Sequence, residues 1–203
     1  TSLSSCFFRC LFCLPFGLLL LLLLPKGQRG LHGPERKRMA VAALLFTAVI
    51  SLLYTSYALV GTGVATTLHY CYPAFTLLGC AVFYRERVRP LSAVCVLLTL
   101  VGVFLCYSPE QGGSLLGMLV AFASGAFYAF YMIYLSKSGL DKLPPYKYVF
   151  YLHLFMVLPV ALLALVFGAL PVQMTPGAWL VQLLLALGIP LGAVALFTLG
   201  VRY

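Results

Sequence analysis

The stretch that decides the fold runs from Met39 to Val60, MAVAALLFTAVISLLYTSYALV, and is entered from Arg36-Lys37-Arg38. It carries no charge, no glycine and no proline. Wound as a helix it spans about 33 Å, enough to cross the hydrocarbon core of a bilayer. Its apolar residues do not alternate, as those of a barrel strand would. Six further apolar runs flank it: Cys6–Leu24 before it, then Val64–Tyr84, Leu91–Tyr107, Ser114–Leu135, Tyr148–Gly168 and Trp179–Val201. Pro15 interrupts the first. Over 203 residues the chain is 63% hydrophobic and 8% charged, more apolar surface than a soluble domain of this length can hide. Lipid accepts such a surface when every backbone polar group is satisfied internally, which a helix does within its own segment. The sequence therefore predicts an all-α, polytopic transmembrane helical bundle of about seven helices in a lipid bilayer.

Charge sets the orientation. The loops Pro25–Arg38, Arg85–Pro90 and Ser136–Lys147 hold eleven basic residues, and Arg202 falls on the same side; only Arg9 of the 13 lies opposite. The intervening loops Gly61–Gly63, Ser108–Gly113 and Ala169–Gly177 hold none. By the positive-inside bias the basic loops are cytoplasmic, which places the chain in a plasma (inner) membrane as a multi-pass protein. Trp179, Tyr146 and Tyr148, at helix starts, suit the membrane–water interface.

The same distribution removes several functions. The net charge of +9 sits in short loops with no aromatic-interleaved basic patch, so no nucleic acid partner is expected. Cys6, Cys10, Cys13, Cys71, Cys80, Cys95 and Cys106 lie in or beside apolar runs and read as small hydrophobes. The Cys10–Cys13 pair has no second pair and no nearby His or acid, so neither a metal nor a cofactor is expected. The four acids, Glu35, Glu86, Glu110 and Asp141, lie in loops or at helix ends, and no catalytic motif appears. The chain does not read as an enzyme. His69 and His153 are the titratable side chains at membrane depth apart from Cys and Tyr, and an imidazole there can carry a proton or serve as a neutral hydrogen-bonding group.

Tyr57-Ala58-Leu59, the helix with Tyr72-Pro73-Ala74-Phe75, the cytoplasmic Arg85-Glu86-Arg87, and Gly102-Val103 near the end of the next helix follow one another in order. Together they resemble the latter part of an EamA-like repeat of the drug/metabolite transporter superfamily, and Ser114–Lys137 is similar to the first helix of a second repeat. The resemblance runs from about Met39 onward. It implies a ten-helix carrier of two inverted five-helix halves. Residues 1–110 would be the latter part of the first repeat, helices 2–5, and residues 111–203 the first part of the second, helices 6–8. The first, ninth and tenth helices would lie outside this chain. It implies transport of small metabolites, amino acids or drugs, often outward, by alternating access. An internal match of Ala40–Gly63 to Leu180–Tyr203 gives four identities in Leu-rich helices and adds nothing to this.

Pro73 removes a backbone donor inside a helix and predicts a kink with a free carbonyl beside it. His69 and Tyr72 lie within a turn of it, and Tyr54 and Tyr128 stand on helices that line the cavity in the family. These four are the expected substrate contacts, offering ring faces and neutral hydrogen bonds. Arg85, Glu86 and Arg87 match the family's cytoplasmic motif and anchor a helix end. Gly113, Gly117, Ala121, Gly125 and Ala129 recur every four residues and mark a helix-packing face, first for contacts within the chain and alternatively for a homodimer. Phe127, Tyr131 and Tyr134 mark another face of the same helix. Gly188 and Gly192 form a shorter small-residue pair. Two other classes remain: a membrane-embedded enzyme acting on lipid-linked substrates, which needs clustered acids or metal ligands, and a structural subunit, which needs no polar groups at depth. A phosphate-carrying relative of the same superfamily would need basic residues inside its helices, and none is expected here.

In a background freed of native cysteines, single cysteines at Lys37, Arg87 and Lys142 should react with a membrane-impermeant maleimide only after permeabilisation. A cysteine at Gln111 should react in intact cells. The reverse pattern overturns the orientation.

Overall fold

The computed structural model describes residues 2–106, 114–168 and 175–188. Every regular element among them is helical. The order is α1 (Ser2–Leu22), the single turn α2 (Lys26–Arg29), α3 (Gly33–Val60), α4 (Thr62–His69), α5 (Tyr72–Tyr84), α6 (Pro90–Cys106), α7 (Leu115–Ser138), a 3-10 turn at Leu140–Lys142, α8 (Pro145–Val166) and α9 (Pro176–Ala186). Four of these, α1, α3, α7 and α8, are long and apolar enough to cross a membrane. Many large apolar side chains face outward, among them Leu97, Leu98, Leu105, Leu158 and Val166, as a lipid-facing surface requires. The first six predicted runs coincide with helix over their described residues, with one difference; of the last, Trp179–Val201, only residues 179–188 are described, and α9 covers them as far as Ala186. The run Val64–Tyr84 is two helices, α4 and α5, and neither alone is long enough to span. Gly113, Gly192 and Arg202 fall outside the described residues. Arg9 lies within the apolar stretch of α1, and Arg36, Lys37, Arg38, Lys137 and Lys147 lie in the end turns of α3, α7 and α8, so basic residues do stand inside helices, contrary to the sequence expectation.

The chain forms two compact units, residues 1–47 with 135–203, and residues 48–134. Helices α3 and α7 contribute to both. In the first unit α1 packs on α8 and α9. Cys6, Cys10 and Cys13, at three- and four-residue spacing, are buried. A Cβ added at Gly17, the next position on this face, would meet the ring of Phe150 at 3.3 Å. Small and soft residues there let α8 approach, as the reading of the cysteines as hydrophobes anticipates. Trp179 of α9 stacks edge-on against Phe8 at 4.7 Å, and the Gln182 amide hydrogen-bonds the Ser5 hydroxyl.

The basic loop is tied down rather than loose. Arg29 donates to the carbonyls of Leu22 (2.6 Å) and Leu24 (2.7 Å), closing the orphan C-terminus of α1. The Tyr151 hydroxyl donates to the Arg29 carbonyl at 3.0 Å. Arg38 donates to the Ser138 carbonyl at the end of α7, 2.8 Å away. Glu35, in the first turn of α3, accepts from the His32 backbone N–H at 2.9 Å and faces Lys147 Nζ at 3.6 Å. Lys147 is only 4% exposed, so Glu35 is what makes a buried ammonium tolerable.

In the second unit the stripe of small residues on α7 does its packing inside the chain. A Cβ at Gly117 would meet Leu59 Cβ at 2.6 Å and Val60 at 2.5 Å. Ala121 closes a core of Val60, Val64 and Ala65, with Tyr57, Leu68 and Met118 around it. A Cβ at Gly125 would lie 2.8 Å from the His69 carbonyl oxygen. Ala129 is buried.

Gly125→Ala and Gly117→Ala should each destabilise the protein by about 1–3 kcal/mol, because a methyl there meets backbone or a Cβ that cannot yield. Gly63→Ala, with open space around it, should not. Thermal midpoints in detergent check this; equal midpoints for all three would contradict the packing. Glu35→Gln should cost about 1–3 kcal/mol by stranding the Lys147 charge, and adding Lys147→Met should recover most of it. A double-mutant cycle on the same midpoints measures the coupling.

Candidate functional site

The break between α4 and α5 builds the site. Pro73 has no N–H, so the carbonyl four residues earlier, that of His69, loses its helical donor. The helix answers by ending: Tyr70 N–H still reaches Thr66 O at 3.0 Å, but Cys71 N–H turns to Leu68 O at 3.2 Å and Ala74 N–H to Cys71 O at 3.0 Å. These three-residue bonds tighten the chain locally. Pro73 then sits in the first turn of α5, where a missing N–H costs nothing. The kink anticipated within one helix is thus a junction between two, for the same reason.

The freed His69 carbonyl is covered by α7 at Gly125, where only glycine permits the approach. One residue earlier on α7, Ser124 reaches the His69 ring: Nδ1 to Oγ is 2.9 Å. The Ser124 hydroxyl in turn donates to the Ala121 carbonyl at 2.6 Å. Ser124 is fully buried and His69 is 9% exposed. Around the imidazole stand three tyrosines, with ring centroids 5.4 Å (Tyr128), 5.9 Å (Tyr72) and 6.3 Å (Tyr70) away. Tyr72 and Tyr128 meet edge-to-face at 4.7 Å, and Tyr131 stacks on Tyr128 at 5.8 Å. Tyr70 is half exposed.

The fold thus brings His69, Tyr72 and Tyr128 together. Tyr54 does not join their rings; it packs against Tyr57 at 5.5 Å, whose hydroxyl lies 3.4 Å from that of Thr66. His153 belongs to the other unit, where its Nδ1 is satisfied by the Val149 carbonyl of its own helix at 2.8 Å. Arg85, Glu86 and Arg87 follow the end of α5. Arg85 adopts a left-handed conformation, and the Glu86 N–H closes back on the Cys80 carbonyl at 3.2 Å, a helix stop of the Schellman kind. Tyr70, within a turn of Pro73, and Tyr131, on the aromatic face of α7, are legible in the sequence; Ser124 is the member that sequence reasoning missed. Ser124 had one legible signal: it is a hydroxyl set between Ala121 and Gly125 on the small-residue face.

A groove of about 280 Å³ runs between α5 and α7, starting near Phe75 and lined by Leu78, Val82, Phe83, Ala129 and Phe130. Its walls are hydrocarbon, so it has nothing to orient a polar solute. Among the described residues no group of His, Cys, Asp and Glu could hold a metal ion. What the His69 cluster can do is bind: ring faces, phenol hydroxyls and one imidazole, without a fixed charge among them.

Four helices long and apolar enough to cross a bilayer, with polar groups gathered where α4 gives way to α5, define a multi-pass membrane protein. The model of the EamA-like transporter family matches residues 1–108, and the chain belongs to that family. The match reaches back over α1, which carried no motif in the sequence. The chain is also similar to the uncharacterized transporter sll1319 of Synechocystis, at 35% identity over 104 residues. That stretch covers 49% of this chain and 31% of the relative.

Proposed function

We propose that the protein is a secondary carrier that exports small metabolites, amino acids or drugs by alternating access, with the His69 cluster as part of its solute site. Residues 1–110 are the latter part of one EamA-like repeat and residues 111–203 the first part of a second, within a ten-helix inverted-repeat bundle. The family match ending at residue 108 supports that division. The basic loops face the cytoplasm of a plasma (inner) membrane. Tyr54, His69, Tyr72 and Tyr128 contact the solute, and Arg85, Glu86 and Arg87 hold the cytoplasmic end of α5.

The observation that carries this reading is the broken helix at Tyr70–Cys71. Carriers of inverted-repeat design place solute sites where helices are interrupted, because a break supplies polar groups inside an otherwise apolar span. Here the break gathers an imidazole and three tyrosines between α4, α5 and α7. Their ring faces and neutral hydrogen bonds suit an amphipathic or aromatic solute.

Full-length protein in proteoliposomes, screened against a panel of labelled metabolites and drugs, should move at least one of them. Alanine at His69, Tyr72 or Tyr128 should then lower the rate about tenfold or more while the protein remains monodisperse in detergent. Tyr54→Ala should lower it less, since that ring packs on Tyr57. Unchanged transport in all four variants would remove the site assignment.

A further inference from the structure

Hydrogen-bond bookkeeping around His69 selects the solute's chemistry. A serine hydroxyl has one proton to give. Ser124 gives its own to the Ala121 carbonyl at 2.6 Å, so at the 2.9 Å contact with His69 its oxygen must accept. His69 therefore carries its proton on Nδ1. In the neutral ring Nε2 is then a lone-pair acceptor, directed away from Ser124; it meets no hydrogen-bond partner among the described residues and stays open to a solute, although the residue as a whole is only 9% exposed. Among the described residues no carboxylate stands near to balance a charge on the ring. Glu86, the described acid of this unit, lies beyond the far end of α5, about 20 Å along the helix from the break. Two aromatic rings, Tyr72 and Tyr128, lie within 6 Å of the imidazole. Such faces attract a cation.

The geometry points to a site for an amine: a solute whose N–H donates to His69 Nε2 while its positive charge rests on the faces of Tyr72 and Tyr128, with Ser124 as the positioning residue that fixes which ring nitrogen accepts. This rests on the solute-site reading above and adds the class of solute. An acceptor-only solute would face a lone pair and be rejected. A quaternary ammonium would keep the ring contacts and lose the hydrogen bond.

Two measurements on the full-length protein in lipid nanodiscs test it. Nitrogen-15 histidine spectra, with His69 assigned by its loss in His69→Gln, should show a protonated Nδ1 and a bare Nε2. In Ser124→Ala that tautomer preference should weaken. Binding of phenethylamine should exceed that of its N,N,N-trimethyl derivative by about tenfold, the worth of one good hydrogen bond. Ser124→Ala should erase most of that ratio, with Ser124→Cys as a second variant should the first fold poorly. An Nε2-protonated ring, equal binding of the two probes, binding of neither, or a ratio unmoved by both variants overturns the amine proposal. The carrier reading is decided separately, by whether the full-length protein moves any solute of the panel.

Discussion

The missing N–H of Pro73 is the constraint on which the second unit is arranged. In water an orphaned carbonyl would be hydrated at little cost. In a membrane-embedded helix it has to be covered or given a partner, at a penalty of several kcal/mol if it is not. The chain meets this by stopping α4 at His69, tightening the turn through Cys71, and laying Gly125 of α7 over the exposed carbonyl. That close approach brings Ser124 to the imidazole and sets the register in which Ala121 closes the core and Gly117 receives Leu59 and Val60. One ring closure on a backbone nitrogen thus governs a helix contact about three turns long.

The first unit solves a different problem. Its charges are close to apolar helices and have to be neutralised without disrupting them. Arg29 spends its donors on the carbonyls that end α1, Arg38 on the carbonyl that ends α7, and Glu35 balances the buried Lys147. Two of these are cations at helix C-termini, where the macrodipole favours them. The basic segment after α1 is therefore also a cap, for the end of α1 and for the end of α7.

The proposal of a solute site at the His69 cluster rather than in the groove between α5 and α7 rests on what binding needs. The groove between α5 and α7 has volume and no polar group. The cluster has several polar groups, and neighbours fix the orientation of the His69 and Ser124 side chains. Specificity comes from the second kind of site, because a buried acceptor that a solute fails to satisfy costs more than a poor apolar fit.

Much of this was legible in the residues themselves. Apolar runs of bilayer length determine helices, because lipid offers the backbone no other partner; Pro73 announces a break, and glycine or alanine at every fourth position of α7 announces a packing face. Periodicity could not say which backbone Gly125 would meet, since that depends on how two helices cross. It could not show that Tyr128 comes to Tyr72 while Tyr54 turns to Tyr57, because all three stand on apolar helices with nothing local to rank them. Nor could it say that Lys147 is buried against Glu35 across more than a hundred residues. Hydrogen-bond direction at His69 is of the same kind: it is set by a serine 55 residues away and by where that serine's own proton goes, which only the tertiary structure decides.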